Sequence, residues 1–220
     1  MIKTLCILLL FFSIHLHANK VNQLQTKCNQ NDIKACFELG TMYGYGHIVK
    51  QDSIEAFYLL DKVCQNKYAK QCQMFKLLYK TNDVFKQGVV NDVQKYQKLC
   101  DDDVMDGCSN LGYLYKKGLG IKKDLTKAQQ AYHKACLSSD MEACTLEGDI
   151  FIDQRDYAKA FPLYKKACDA NHFRACTYLG YMYAMGQSVE SNDQKAKILW
   201  KKACDGEDEL GCQEYKRLSP

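Results

Sequence analysis

Apolar positions recur along the chain in two helical phases. In ACTYLGYMYAMG (175–186), Cys176, Leu179, Gly180 and Tyr183 stand at i, i+3, i+4 and i+7, the spacing that lines one face of a helix. Further on, Ala196, Trp200 and Cys204 stand at i, i+4 and i+8, again a single face. Polar stretches such as KKGLGIKKD, with Gly118 and Gly120, separate the two phases and read as loops. Asp52, Asp124, Asp156 and Asn192 fall where each second helix should begin. Their short side chains can accept a bond from a free N–H of the first turn. Glu55, three residues after Asp52, adds a capping-box pattern. The pattern therefore predicts helix–loop–helix units.

These units repeat. Cys28, Cys64, Cys100 and Cys136 are each 36 residues apart, the step to Cys168 is 32, and the step to Cys204 is 36 again. A constant period of this length marks a solenoid of small supersecondary units. Counted from the second cysteine of the first five pairs, the fourth position is Gly40, Gly112, Gly148 and Gly180, with Lys76 as the exception, and the seventh is aromatic in all five. A glycine there lets a neighbouring helix approach closely. The expected units are 29–64, 65–100, 101–136, 137–168 and 169–204, with a capping helix at 205–217, all within one solenoid over 19–220. The second unit lacks the loop glycines, and the fourth has lost four loop residues.

The cysteines themselves form a framework. Cys28 and Cys36, Cys64 and Cys72, Cys100 and Cys108, Cys136 and Cys144, Cys168 and Cys176, and Cys204 and Cys212 are each eight residues apart. Eight residues of straight helix rise about 12 Å, whereas a disulfide needs Cα atoms only about 4.4–6.8 Å apart. The chain must therefore reverse between the two cysteines, and each bridge is expected to staple an antiparallel helix pair at its tight end. A zinc site would favour cysteines two to four residues apart, and no C-x-x-C occurs in the sequence.

The first residues, MIKTLCILLLFFSIHLHANK, carry Lys3, an apolar run from Leu5 to Leu16 and the small Ala18. This reads as a secretory signal peptide over 1–18, with Cys6 inside it, and places the protein in the periplasm or outside the cell. Twelve remaining cysteines, all in equal pairs, suit an oxidising compartment. Charge is nearly balanced and scattered, which argues against a nucleic-acid groove. No second long apolar run follows, so no membrane span is expected.

The pattern A-C-x-x-L-G-x-x-Y-x-x-G, followed by D-x-x-K-A and K-A-C-D, stands in ACTYLGYMYAMG and in CSNLGYLYKKGLGIKKDLTKAQQAYHKAC (108–136). It resembles the Sel-like repeat, a relative of the tetratricopeptide repeat, and the paired cysteines resemble the Helicobacter cysteine-rich protein family. The resemblance implies an all-α, right-handed α/α solenoid with disulfide-stapled hairpins. It also implies penicillin binding with slow β-lactamase activity, secretion, and a scaffold role toward other proteins.

Motifs for that hydrolysis are absent from the sequence. No serine is followed three residues on by lysine, Ser191-Asn192-Asp193 has the wrong order for S-D-N, and Lys80-Thr81 precedes Asn82 instead of glycine. His47, His133 and His172 lie in separate units without ligand spacing. A nucleophile would have to be assembled across repeats. No metal and no cofactor is expected. A binding surface is better motivated. Positions two, five and nine after the second cysteine lie opposite the cysteine face, and Tyr113, Tyr178, Tyr181 and Met185 are the candidates there. Tyr45, Met74 and Leu77 at such positions read as packing residues. The expected protein is a monomer. Its expected partner is a protein or peptide, with a peptidoglycan fragment or a β-lactam as the smaller alternatives.

Overall fold

The computed structural model describes residues 19–46, 48–65 and 69–218. The signal peptide expected at 1–18 and His47 lie outside them. All regular structure among the described residues is helical. The chain divides into two compact units, Met1–Gln94 and Lys95–Pro220.

The first unit contains α1 (19–29), α2 (Ile33–Tyr45), α3 (Ser53–Gln65), α4 (Ala69–Thr81) and the start of α5 (Asp83–Asp101). Cys28–Cys36 joins α1 to α2, and Cys64–Cys72 joins α3 to α4. Leu24, Ile33, Leu39, Leu59 and Val63 form one core cluster. Phe57 meets Phe75 and Tyr79 edge-on at 5.2 and 5.1 Å, and Phe85 closes the aromatic group. The missing loop glycines of the second unit have a simple structural counterpart. Only Asn82 separates α4 from α5, and its side chain accepts the Phe85 N–H at 2.8 Å.

The second unit contains the end of α5, then α6 (Met105–Lys117), α7 (Leu125–Leu137), α8 (Met141–Asp153), α9 (Tyr157–Asp169), α10 (Phe173–Met185), α11 (Asp193–Asp205) and α12 (Glu209–Arg217). The helices pack in sequence as an α/α solenoid, α6 on α7, α7 on α8 and so to α12. Four disulfides close its tight turns, with Cα separations of 4.5, 4.6, 4.6 and 4.3 Å. In each turn the residue three after the first cysteine takes a left-handed backbone: Asp103, Ser139, Asn171 and Glu207, with φ between 60° and 72°. The chain reverses there, which is why eight residues suffice.

The wider loops follow the sequence pattern. Gly118 and Gly186 cap α6 and α10 in the left-handed conformation, with φ 73° and 65°. Between α8 and α9 three residues remain, Gln154 to Asp156, and Arg155 takes the positive φ. Asp124, Asp156 and Asn192 accept N–H groups of Lys127, Lys159 and Lys195, as N-caps do.

The capping box at Asp52 is only half formed. Asp52 Oδ1 accepts the Glu55 N–H at 3.0 Å, but the Asp52 N–H donates to the Tyr43 carbonyl, not to Glu55. The same bond recurs from Asp124 to Tyr115, Asp156 to Phe151 and Asn192 to Tyr183. The final turn of the first helix already uses the donor that a capping box would need.

One contact locks the two helices within each repeat of the second unit, and two more hold successive repeats in register. Each glycine four after the second cysteine receives a large ring: a Cβ would lie 2.7 Å from Tyr132 at Gly112, 2.8 Å from Tyr164 at Gly148 and 2.6 Å from Trp200 at Gly180. The lysine two before each first cysteine reaches back to the preceding first-cysteine carbonyl, as Lys166 does to Cys136 at 2.6 Å and Lys202 to Cys168 at 2.7 Å. A cation there also faces the negative end of a helix dipole. The residue after each second cysteine bonds the next N-cap residue: Ser109 to Asp140, Thr145 to His172, and Thr177 to Asp208.

Candidate binding surfaces

The first helices of the repeats, α8, α10 and α12, present a polar network. Arg174 bonds Glu142 at 2.8 Å and Asp149 at 2.5 Å. Asp149 also accepts the Tyr164 hydroxyl at 2.8 Å. Burial opposes the Arg174 charge, but Asp149 and Glu142 outweigh it and hold the guanidinium charged. Burial pushes the Glu142 carboxyl up, yet its hydrogen bond to His172 and the nearby Arg174 bring it below its ordinary range.

The sequence-derived surface candidates meet different fates around this network. Tyr113 is buried, only 4% exposed, with the Lys117 ammonium 5.7 Å from its ring centre. It is packing, and the expectation of an exposed ring there is corrected. Tyr178 is half-buried, stacked on Tyr164 at 5.3 Å and covered by Arg174. Tyr181 is half-buried, edge-on to Trp200 at 5.3 Å, and its hydroxyl donates to Glu214 at 2.8 Å. Burial and Glu214 push that phenol upward. Met185 is exposed at 64%. Met74 and Leu77, read as packing residues, are exposed at 45% and 60%. Spacing identifies a helix face but not which neighbour covers it.

The network also contains a hydroxyl, an imidazole and a carboxylate in series. Thr145 Oγ1 lies 2.9 Å from His172 Nδ1, and His172 Nε2 lies 2.8 Å from Glu142. These groups come from two repeats, the arrangement that sequence order could not reveal. Their order resembles a nucleophile–base–orienter chain. Thr145, however, is fully buried and its hydroxyl also donates to the Met141 carbonyl at 2.9 Å. A substrate carbonyl has no approach to that oxygen, so the chain of bonds acts as a latch between α8 and the turn before α10.

A second surface lies between the second helices of successive repeats. One cavity, of about 370 Å³, opens between α5 and α7 over α6, and another, of about 230 Å³, between α9 and α11 over α10. All seven residues that line the second have a positional counterpart two repeats earlier in the first, which adds Cys100 and Lys134. Leu111 and Leu179 form the floors beside Tyr115 and Tyr183. Lys127 and Lys195 cover those rings at 5.5 and 5.1 Å. Asp101 and Asp169 stand on the opposite walls, and Gln130 and Ile198 on the rims.

The repeat between them differs. Glu147 takes the floor position of the two leucines and is 3% exposed, and His133 Nδ1 lies 3.0 Å from its carboxylate. Burial pushes the Glu147 carboxyl up, against the pull of His133 and Lys166. Lys159 still covers Phe151 at 5.3 Å. The groove is therefore periodic in its cation–aromatic walls and interrupted in its floor. Its existence was not anticipated from the sequence, although Lys127, Lys159 and Lys195 all stand nine residues before a first cysteine. Among the described residues no group of histidines, cysteines and carboxylates could hold a metal ion, and no helix is long and apolar enough to cross a membrane.

Comparison with known proteins fits this architecture. The family model for the Sel1 repeat matches residues 33–68, 106–140, 143–172 and 174–208. Among solved structures, a protective antigen present in uropathogenic Escherichia coli strains, displaying an SLR fold, is 26% identical with a TM-score of 0.56 over 89% of this chain. The chain spans 43% of that protein's length. A Sel1 repeat protein from Oxalobacter formigenes is 24% identical, with a TM-score of 0.54, over 84% of this chain and 77% of its own. Helicobacter pylori cysteine rich protein B is 30% identical, with a TM-score of 0.47, over 58% of this chain and 95% of its own. No curated protein matches significantly.

Proposed function

The chain belongs to the Sel1 repeat family, and on that premise we propose that it is a secreted or periplasmic scaffold that binds a protein or peptide partner along its second unit. Six disulfides point to an oxidising compartment outside the cytoplasm. The signal-like first residues supply the export route. The observation that carries the binding role is the groove between the second helices, present twice with corresponding linings. A single catalytic centre needs no such duplication, whereas a repeat scaffold spreads recognition over several units.

Penicillin hydrolysis, which the family resemblance implied, finds no support in the one hydroxyl–imidazole–carboxylate chain, because Thr145 is buried.

Photo-crosslinking groups placed at the exposed Ile198 and, separately, at the exposed Met185 test the scaffold role in cells that export the protein. A discrete protein adduct at either position is the expected result. Absence of any adduct at both, together with turnover of benzylpenicillin by the same preparation, would overturn the reading.

A further inference from the structure

Of the four second helices that wall the twin grooves, α5 is balanced, with three aspartates and three lysines, and the other three are basic. α7 carries Lys127 and Lys134 and no carboxylate. In α9, Asp169 is the lone acidic residue beside Lys159, Lys165 and Lys166, and in α11 Asp193 and Asp205 stand at the two ends of a lysine-rich helix. The acidic wall differs between the grooves: Asp169 is neutralised by Lys165, whereas Asp101 accepts from the neutral Gln97 amide and keeps its charge. Gln97 bonds Asp101 at 3.0 Å in the first, and Lys165 pairs with Asp169 at 2.5 Å in the second, both one helical turn apart. Lys127 and Lys195 are exposed, and among the described residues each covers an aromatic ring with no carboxylate partner. Each groove thus offers an apolar floor, an aromatic wall and a cation whose charge is not neutralised by a neighbour.

We propose that the twin grooves seat two apolar side chains of one extended acidic peptide segment of a partner protein, with carboxylates of that segment paired to Lys127 and Lys195. The inference rests on the scaffold reading above and names the partner's chemistry. Helix layers lie about 10 Å apart, so two repeats separate the grooves by roughly 20 Å. An extended chain rises about 3.3 Å per residue, which places the two apolar anchors roughly six residues apart. The interrupted floor at Glu147 lies between them and receives no anchor, since a buried carboxylate fills it. Charge then selects the partner and sets its direction of approach, while the anchors fix its register.

The test is a fluorescence-anisotropy titration of the full oxidised protein with a labelled peptide of glutamates carrying two leucines six residues apart. One control peptide replaces glutamate with lysine, and another places the leucines side by side. The protein variants are Lys127→Glu combined with Lys195→Glu, Ile198→Ser, and Arg174→Ala on the other surface. Saturable binding of the acidic peptide is expected, weakened more than tenfold by the double reversal, severalfold by Ile198→Ser and by adjacent leucines, and unchanged by Arg174→Ala. Equal binding of the lysine peptide, or indifference to the double reversal, would overturn the proposal. So would binding to phosphatidylglycerol vesicles without binding to the peptide, which would make the groove a lipid surface. A crosslinked partner at Met185 with no acidic-peptide binding would sink this inference and leave the scaffold role standing. Neither crosslink nor peptide binding, together with turnover of benzylpenicillin by the same preparation, would sink both.

Discussion

Gly180 faces Trp200 so closely that a methyl group on Gly180 would stand 2.6 Å from the indole Nε1. That nitrogen donates to the Thr177 carbonyl at 3.1 Å, inside the same helix as the glycine. The indole is fully buried, so it cannot swing aside without opening the α10–α11 contact. Gly180→Ala should therefore cost about 1–3 kcal/mol through overpacking, despite alanine's better helix propensity. Thermal unfolding followed by circular dichroism and by Trp200 fluorescence checks this, and a stabilised variant would contradict the packing assignment.

Cys168–Cys176 closes a loop of about nine residues, which contributes roughly 2.5 kcal/mol on the chain-entropy model. Replacing both cysteines with alanine should lower the denaturant midpoint correspondingly. The turn itself should persist, because Asn171 and His172 make backbone bonds to Cys168 and Ala167 that do not depend on sulfur. Hydrogen exchange at those two amides reads the difference between a loosened turn and a lost one.

Two carboxyls of α8 give opposite pH signatures. Burial raises Glu142, but His172 and Arg174 more than compensate and its pKa is lowered on folding. Its stabilisation is present above the unfolded value of 4.5 and is lost as pH falls through the lower folded value. Glu142→Gln should cost roughly 1 kcal/mol or less at neutral pH, since the pair is partly exposed, and the difference should vanish in acid. Glu147 is raised by burial in spite of His133 and Lys166. Its contribution is favourable below its unfolded value and lost as pH rises through the folded one. Glu147→Leu, which installs the residue type found at Leu111 and Leu179, should stabilise the protein at pH 7 by about 1 kcal/mol. Unfolding midpoints of both variants across pH 3 to 8 test the two signs.

Thr145 links α8 to the turn before α10 through His172. Thr145→Val keeps the shape and removes the hydroxyl, so it should cost about 1 kcal/mol. If the residue is a latch, intact-mass analysis with benzylpenicillin should show no drug adduct on the wild-type protein and no drug gaining water faster than in buffer. An adduct that Thr145→Val abolishes would make it a nucleophile.

Much of this fold was legible in the sequence. The phase of Cys176, Leu179, Gly180 and Tyr183 marked the first helix, Asp124 and Asn192 marked the start of the second, and the eight-residue cysteine interval demanded a reversal. Those signals are local or strictly periodic, so spacing alone carries them. The surfaces were less legible. Tyr113 shares its phase with Tyr181, yet one is buried and the other half-buried, because the cover comes from different neighbours. Met74 and Leu77 went the other way. The groove combines residues of three helices, and its periodicity becomes visible only once Lys127 is seen over Tyr115 and Lys195 over Tyr183.

The most direct measurement is a lysine footprint. Reductive methylation of the oxidised protein, free and bound to its crosslinked partner or to the acidic peptide, is read by peptide mass spectrometry at every lysine. Protection concentrated at Lys127 and Lys195, with Lys20 and Lys34 of the first unit unchanged, is the predicted result. Unaltered reactivity at Lys127 and Lys195 in a complex of demonstrated occupancy would contradict the claim that this groove is where the protein binds.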